Sequence, residues 1–411
     1  MSLKIYHQVI MTSSTPRAMP LLIALLATLG PMGIDMYLPS IPAMAISFGS
    51  SEGAVQLSLM TFFIGLMLGQ LIYGPLSDKL GRKPLIYTGL FIFILGSIGC
   101  AFAQTVQQLQ WIRFVQGLGG SIGMVIAFAI IKDRYQGPAV GKMMSMVLAI
   151  LGLSPVLAPL IGDGLQALGS WRNIFIFLCA YGILILTVTA IFLPETRDVQ
   201  LRQDFQLSQT FKHYIDILTD RKFIIFALTL CIAQAGFFAY IAGSASVFIS
   251  EYNLSSTQFS LLFAINAFGL IAAAILNPKL HEKFGPLKAY KIFNISFLIV
   301  TSLLLVSLML GLKQLGLLCV GIFIAVALLG FIMPTGSQLS LMFQHKLAGT
   351  ASALLGALQF GFGAIITTIT GLYASSDSIG LMSIMFICAL ISALMCIVLF
   401  PKQLIQPYQS H

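Results

Sequence analysis

Long apolar runs separated by short charged or Gly/Pro-rich turns fill most of the chain. A helix needs about 20 apolar residues to cross a bilayer. Read at that length, the pattern predicts spans at 19–46, 54–74, 84–104, 107–131, 143–168, 172–193, 222–249, 257–278, 290–311, 315–342, 347–373 and 379–400. The expected fold class is an all-α integral membrane protein of twelve transmembrane helices. The rhythm breaks once, at the long polar stretch 194–221. There Phe205, Phe211, Tyr214, Ile215 and Leu218 are spaced as one apolar face of a helix lying at a membrane surface. The expected organisation is a six-helix bundle at 1–196, a linker at 197–221 and a second six-helix bundle at 222–411.

Composition agrees. Apolar residues make up 58% of the 411, charged residues only 9%, and the mean hydropathy is +0.96. Soluble domains carry about 25% charged residues, so a soluble enzyme, a disordered chain and a nucleic-acid-binding domain are poor readings. The net charge of +9 is explained by topology. Of the 22 Lys and Arg, only Arg172 and Lys313 fall in one set of alternate loops, and Arg113 falls inside a span. All the others share the opposite side with both termini. The positive-inside rule makes that side cytoplasmic, where the charge also suits anionic lipid. The first span shows no signal-peptide cleavage pattern and is expected to stay uncleaved. Six cysteines lie in apolar runs and read as small buried hydrophobes.

Two loops repeat. Leu76-Ser-Asp78-Lys79-Leu80-Gly81 and Leu280-His-Glu282-Lys283-Phe284-Gly285 both fit L-x-[DE]-K-[LF]-G, and each follows the second span of its half. Two six-span halves related by a pseudo-two-fold axis are a transporter architecture, with a central cavity opened alternately to either side.

The first of these loops, Gly74-Pro-Leu-Ser-Asp78-Lys-Leu-Gly81-Arg82-Lys83, resembles the loop motif of the major facilitator superfamily. Leu109-Gln-Trp-Ile-Arg113-Phe-Val-Gln116-Gly117 is similar to its fourth-helix motif. Asp35-Met-Tyr37-Leu-Pro39-Ser-Ile-Pro42 resembles the first-helix motif of its twelve-span drug:proton antiporters. In the fifth-helix antiporter motif Ser145, Ser154, Ala158 and Gly162 stand at glycine positions, Pro159 is kept, and Asp163 replaces the last glycine. With Trp171, Arg172 and Phe175, the set is similar to bicyclomycin-resistance (Bcr/CflA-type) multidrug exporters. The resemblance implies proton-coupled efflux of small amphipathic drugs across a bacterial inner membrane. It implies a monomer driven by the proton gradient without a cofactor, whose partners are drug, protons and lipid, not nucleic acid.

Asp35 is the clear intramembrane acid, and such a carboxylate costs ~2.5–3.5 kcal/mol. Asp35 lies ~24 Å along span one and Arg113 ~9 Å down span four from the other side, at 1.5 Å per residue. The depths match across a ~30 Å slab. Asp35 and Arg113 are therefore the expected proton-coupling pair. Asp78, Gly81, Arg82, Asp133 and Arg134 are the expected gate, with Arg82 on Asp133, Asp78 on a helix N-terminus of the other half and Gly81 making the turn. Candidate substrate contacts are Met36, Tyr37, Phe237, Tyr240, Asn266, Asn294, Gln338, Gln359 and Phe360. No P-loop or H-E-x-x-H occurs, and His7, His213, His281, His345 and His411 are scattered, so neither an ATP-driven pump nor a membrane enzyme is expected. The alternative is a proton-coupled symporter or facilitator for a small nutrient or peptide.

Overall fold

A computed structural model describes residues 19–197, 207–344, 347–373 and 377–400. The termini, Phe205 and Lys346 lie outside the described residues. Within them every regular element is helical. The first span is the bent series α1 (Met19–Ala27), α2 (Leu29–Asp35) and α3 (Ile41–Phe48). Five helices complete the first half: α4 (Glu52–Leu80), α5 (Arg82–Phe102), α6 (Val106–Arg134), α7 (Pro138–Ala167) and α8 (Arg172–Phe192). The linker forms α9 (Leu207–Thr219). The second half holds α10 (Arg221–Ala245), α11 (Ser256–Phe284), α12 (Pro286–Met309), α13 (Leu315–Leu341), α14 (Ala348–Tyr373) and α15 (Ser378–Val398). Eleven of these are long and apolar enough to cross a membrane, and the bent first span makes twelve.

The pattern predicted one straight helix over 19–46, but prolines break it. Pro31 has no N–H for the carbonyl of Ala27, and the axis bends by 40° after α1. Pro39 likewise leaves the carbonyl of Asp35 without its helical donor, so α2 stops at Asp35 and a 3₁₀ turn, Leu38–Ser40, leads into α3. Elsewhere the helices outrun their apolar stretches. The second span was expected to end at 74, yet α4 continues through Asp78 and Lys79, because backbone hydrogen bonding does not stop where the slab does. The seventh span, expected as one helix to 249, changes to a π-helix over Ser246–Glu251.

The repeat is structural. Ser51 caps α4 and Ser255 caps α11 through their hydroxyls. Each helix then ends at a glycine with positive φ, Gly81 at 97° and Gly285 at 74°, where side chains are disfavoured. The next helix begins at once, at Arg82 or Pro286.

Small residues let the helices touch backbone to backbone. Gly65 of α4 lies against the carbonyl of Phe114, and Gly117 of α6 against that of Phe62. Gly162 of α7 abuts the carbonyl of Met36 beside the break in the first span. The halves meet along two seams, α4 with α14 and α7 with α11. At the end remote from Lys79 and Arg82, four hydrogen bonds cross them. Gln56 Nε2 donates to Ser246 Oγ at 2.8 Å, and Ser250 Oγ to Glu52 Oε1 at 2.6 Å. Thr257 Oγ1 donates to Asp163 Oδ2 at 2.7 Å, and Ser260 Oγ to the Pro159 carbonyl at 3.2 Å. Asp163, the departure from the family pattern, is thus a cross-seam acceptor.

A methyl group at Gly162 would meet the Met36 backbone, whereas Gly164 has open space around it. Gly162→Ala is expected to cost about 1–3 kcal/mol, the range for overpacking, and to lower the thermal midpoint of the purified protein. Gly164→Ala should leave it within error; equal midpoints for the two variants would contradict the close contact.

Candidate functional site

Arg113 is completely buried in α6, and among the described residues no carboxylate lies within 4 Å of it. Neutral groups hold it instead. Nη1 donates to Gln116 Oε1 at 2.7 Å and Nη2 to the carbonyl of Gly33 at 2.8 Å. Gln116 in turn donates to Ser97 Oγ at 2.8 Å, and Ser97 to the carbonyl of Phe93. Three rings surround the guanidinium: Phe62 at 4.1 Å, Tyr37 at 4.5 Å and Phe175 at 5.8 Å from centroid to Cζ. Cation–π attraction is strongest where water is excluded. The Tyr37 hydroxyl lies beside Ser58 and Arg113. Ser58, Phe62 and Gln116 were not singled out from sequence. Gln116 was legible as one turn from Arg113, but Phe62 was one apolar residue among many.

Asp35 is 4% exposed and ends α2 two residues beyond the carbonyl that Arg113 grips. Among the described residues it has no hydrogen bond and no ion pair. The expected Asp35–Arg113 contact is therefore not made. Arg113 reaches the Gly33 carbonyl, but its two terminal nitrogens bond to Gln116 and Gly33 rather than to Asp35, and its Nε has no partner among the described residues. The 3₁₀ turn that follows Asp35, Leu38–Ser40, lies against α10 and α11 of the other half.

The second half supplies a neutral wall. Tyr240 Oη accepts from Asn266 Nδ2 at 2.9 Å. Phe237 stacks on Tyr240 at 6.3 Å and Phe263 at 5.4 Å. Phe63 of α4 meets Phe238 at 4.7 Å and Phe360 at 5.8 Å, so an aromatic layer crosses between the halves. Phe63, Phe238 and Phe263 were missed because phenylalanine is common along every span. Four expected contacts fall elsewhere or make no polar contact. Met36 is fully buried against Gly162. Asn294 uses its amide in packing, donating to the Tyr290 carbonyl and accepting from Ser392. Gln338 is exposed one turn from the end of α13, and Gln359 is half-buried on α14. A cavity of ≈ 440 Å³ lies on the α4–α14 seam between Met60, Met67, Leu71, Leu358, Gly361 and Thr368. It is apolar and does not include Asp35 or Arg113.

Three of the residues expected at the gate, Asp78, Arg82 and Asp133, lie in one charge cluster. Arg82 Nε donates to Asp133 Oδ2 at 2.9 Å, and Arg82 pairs with Asp78 at 3.0 Å. Arg82 also donates to Ser77 Oγ. Asp78 finds a second partner in Arg197, at 3.8 Å. The expected bond from Asp78 to the other half is not made; both of its partners belong to the first half or the start of the linker. Arg134 donates to the Glu195 carbonyl at 3.3 Å. Sequence reading missed Glu195 as a hub, treating it as the start of a polar linker. Its carboxylate accepts from the backbone N–H of Arg82, Lys83, Thr196 and Arg197 at 2.9–3.1 Å. Two of those donors are free N–H groups in the first turn of α5. Burial alone would push the Glu195 pKa up, but these four hydrogen bonds outweigh it and hold the carboxyl below its ordinary 4.5.

The chain resembles known proteins over most of its length. The model of the Major Facilitator Superfamily matches residues 23–359. The chain belongs to that superfamily. It is 34% identical to the uncharacterized MFS-type transporter YdgK of Bacillus subtilis, over 92% of this chain and 94% of that one. It is 28% identical to a bicyclomycin resistance protein homolog of Haemophilus influenzae, over 91% and 94%. Among solved structures, a D-xylose-proton symporter superposes with a TM-score of 0.78, covering 95% of this chain and 99% of that one at 15% identity. The fold is therefore that of the superfamily, and the protein is a membrane transporter rather than an enzyme.

Because the folded-state pKa of Glu195 is depressed, its carboxylate adds stability above the unfolded value, and that stability is lost as pH falls through the folded value. Glu195→Gln is expected to lower the thermal midpoint at pH 7, with the gap to wild type closing below about pH 4.5. A gap that stays constant down to pH 3 would contradict the assignment.

Proposed function

We propose that this superfamily member exports small amphipathic drugs from the bacterial cytoplasm in exchange for protons, with Asp35 as the proton carrier. The observation that carries the reading is the Asp35 carboxyl: buried at a break in the first span, without an ion or hydrogen-bond partner among the described residues, just before a turn that lies against α10 and α11 of the second half. A carboxyl group takes up a proton when removed from water and yields it when water returns. With no cation in contact to pin its charge, Asp35 responds to whether its surroundings are wet or dry. Arg113, held by Gln116 and Gly33, is the fixed positive charge that anchors α2, the helix that ends at Asp35.

In this cycle residues 1–196 and 222–411 rock about the α4–α14 and α7–α11 seams. Opening away from the Lys/Arg-rich side breaks the bonds of Gln56, Glu52 and Asp163 with Ser246, Ser250 and Thr257. A drug enters among Phe237, Tyr240, Asn266 and Gln359 of the second half and Tyr37 of the first. Aromatic rings tolerate varied apolar shapes, while the Tyr240–Asn266 pair offers polar contacts. Asp78, Arg82, Asp133 and Arg134, turned at Gly81 and braced by Glu195, form the gate on the Lys/Arg-rich side. That side faces the cytoplasm by the positive-inside rule, which puts both termini inside. The bicyclomycin resistance homolog supports the drug class. One chain holds the whole site, and the working unit is a monomer in the inner membrane.

The test is a drug-susceptibility panel in an efflux-deficient bacterium carrying wild type or Asp35→Asn at equal membrane levels. Wild type should raise resistance to at least one amphipathic drug, and Asp35→Asn should return it to the empty-host value. Full resistance with Asp35→Asn would overturn the carrier assignment, and uptake-dependent growth with wild type would favour the symporter.

A further inference from the structure

Inside α4, Pro75 stands four residues after Leu71. Proline has no backbone N–H, so the Leu71 carbonyl loses the donor that an uninterrupted helix would supply. A bare carbonyl at a buried seam is costly. Its donor comes from another element: Tyr214 of the linker helix α9 places its hydroxyl 2.9 Å from the Leu71 oxygen. The ring of Tyr214 is held by the other half. With Ile217 it packs among Phe223, Ala227 and Leu230 of α10 and Ala351, Leu354 and Leu355 of α14. The end of α9 is fastened there too, since Asp220 caps α10 and accepts from Gln344, just past α13, at 2.5 Å. Phe211, Ile215 and Leu218 of the same helix stay exposed. The linker helix is thus seated on the second half and, among the described residues, hydrogen-bonds to the first through the Tyr214 hydroxyl. Next to that bond Gln70 lies against Gly356, and a methyl group added at Gly74 would lie 3.8 Å from that of Ala353.

We propose that Tyr214 is a positioning residue for transport, a clasp between linker and α4 that resists separation of the halves on the Lys/Arg-rich side. The inference rests on the alternating-access reading. When the halves part at that end, α4 moves away from α9 and α14, the bond breaks, and the Leu71 carbonyl turns to water entering the seam. Tyr214 therefore weights the two states without touching drug or proton.

The experiment is hydrogen exchange on the full chain in lipid nanodiscs, followed at peptides covering 66–76 and 351–358 and at a reference peptide over 246–256. Tyr214→Phe keeps the ring and removes only the hydroxyl. It should speed exchange at the first two peptides about two- to tenfold, the equilibrium shift that one neutral hydrogen bond supports, and leave the reference no faster. Pro75→Ala restores an N–H for Leu71 inside α4. In that background Tyr214→Phe should have little further effect, and Pro75→Ala alone should mimic it, which gives a reading even if Tyr214→Phe folds poorly. Unchanged exchange in Tyr214→Phe, or an equal increase with and without Pro75, would overturn the clasp. A wild-type protein whose exchange at both ends ignores added drug and pH would instead count against alternating access.

Discussion

A guanidinium group in the middle of an apolar bundle needs partners to replace water, and Arg113 finds them without an anion. Its partners are a side-chain amide, a backbone carbonyl and three aromatic rings. Each partner constrains the fold. The Gly33 carbonyl must face α6, which fixes the rotation of α2. Gln116 must point along its own helix, which requires Ser97 on α5 to receive its N–H. Phe62 must lie flat on the cation, and it does so where Gly117 lets α6 press onto the α4 backbone. A carboxylate would have satisfied Arg113 more simply. Its absence leaves Asp35 unpaired one half-turn further along, so the same constraint that organises the first bundle also produces the unpaired acid.

Proline has a related role in both places where the chemistry concentrates. It removes a donor, frees a carbonyl and breaks or loosens a helix within the membrane. Pro39 does so at Asp35, ending α2 where the carboxyl group sits. Pro75 does so at Leu71, and the carbonyl recruits a tyrosine from the linker. Irregular backbone at membrane depth is tolerated only where protein or water satisfies it. The freed Leu71 carbonyl lies at the seam between the halves.

The twelve spans, the repeat and the family were legible from the apolar runs, from two six-residue loops and from motifs around Asp35, Asp78 and Arg113, since each is a feature of composition or spacing. The cluster of Arg82 with Asp133 was also legible, as complementary charges at span ends. Contacts decided by rotation about a helix axis were not. Apolar runs do not say that Phe63, Phe238 and Phe360 converge, nor that Asn294 turns into a helix contact rather than the cavity. Glu195 escaped notice because a capping carboxylate usually precedes its helix in sequence, whereas this one arrives more than a hundred residues after α5 begins. Tyr214 was recognised as part of an amphipathic face, but its partner became visible only once α4 and α9 were neighbours.

The two halves share a skeleton but not a chemistry. Ser51 and Ser255, and Gly81 and Gly285, occupy equivalent places. The position equivalent to Arg82 is Pro286, and the one equivalent to Asp35 along the repeat is Ala239. Arg113, seven residues into α6, is matched by the buried Ile322, seven residues into α13. The second half answers charge with aromatic rings and neutral hydrogen-bond pairs, Tyr240 with Asn266 and Thr335 with Asn277. Proton and drug in the proposed cycle therefore meet different surfaces, charged on one side and soft and neutral on the other. In that cycle they communicate where the turn after Asp35 meets α10, the helix that carries Tyr240. A drug lodged against Tyr240 would there change how much water reaches Asp35, and water would decide the charge of an unpaired carboxyl group. Coupling then needs no second acid in the second half, only a wall whose occupancy wets or dries the first.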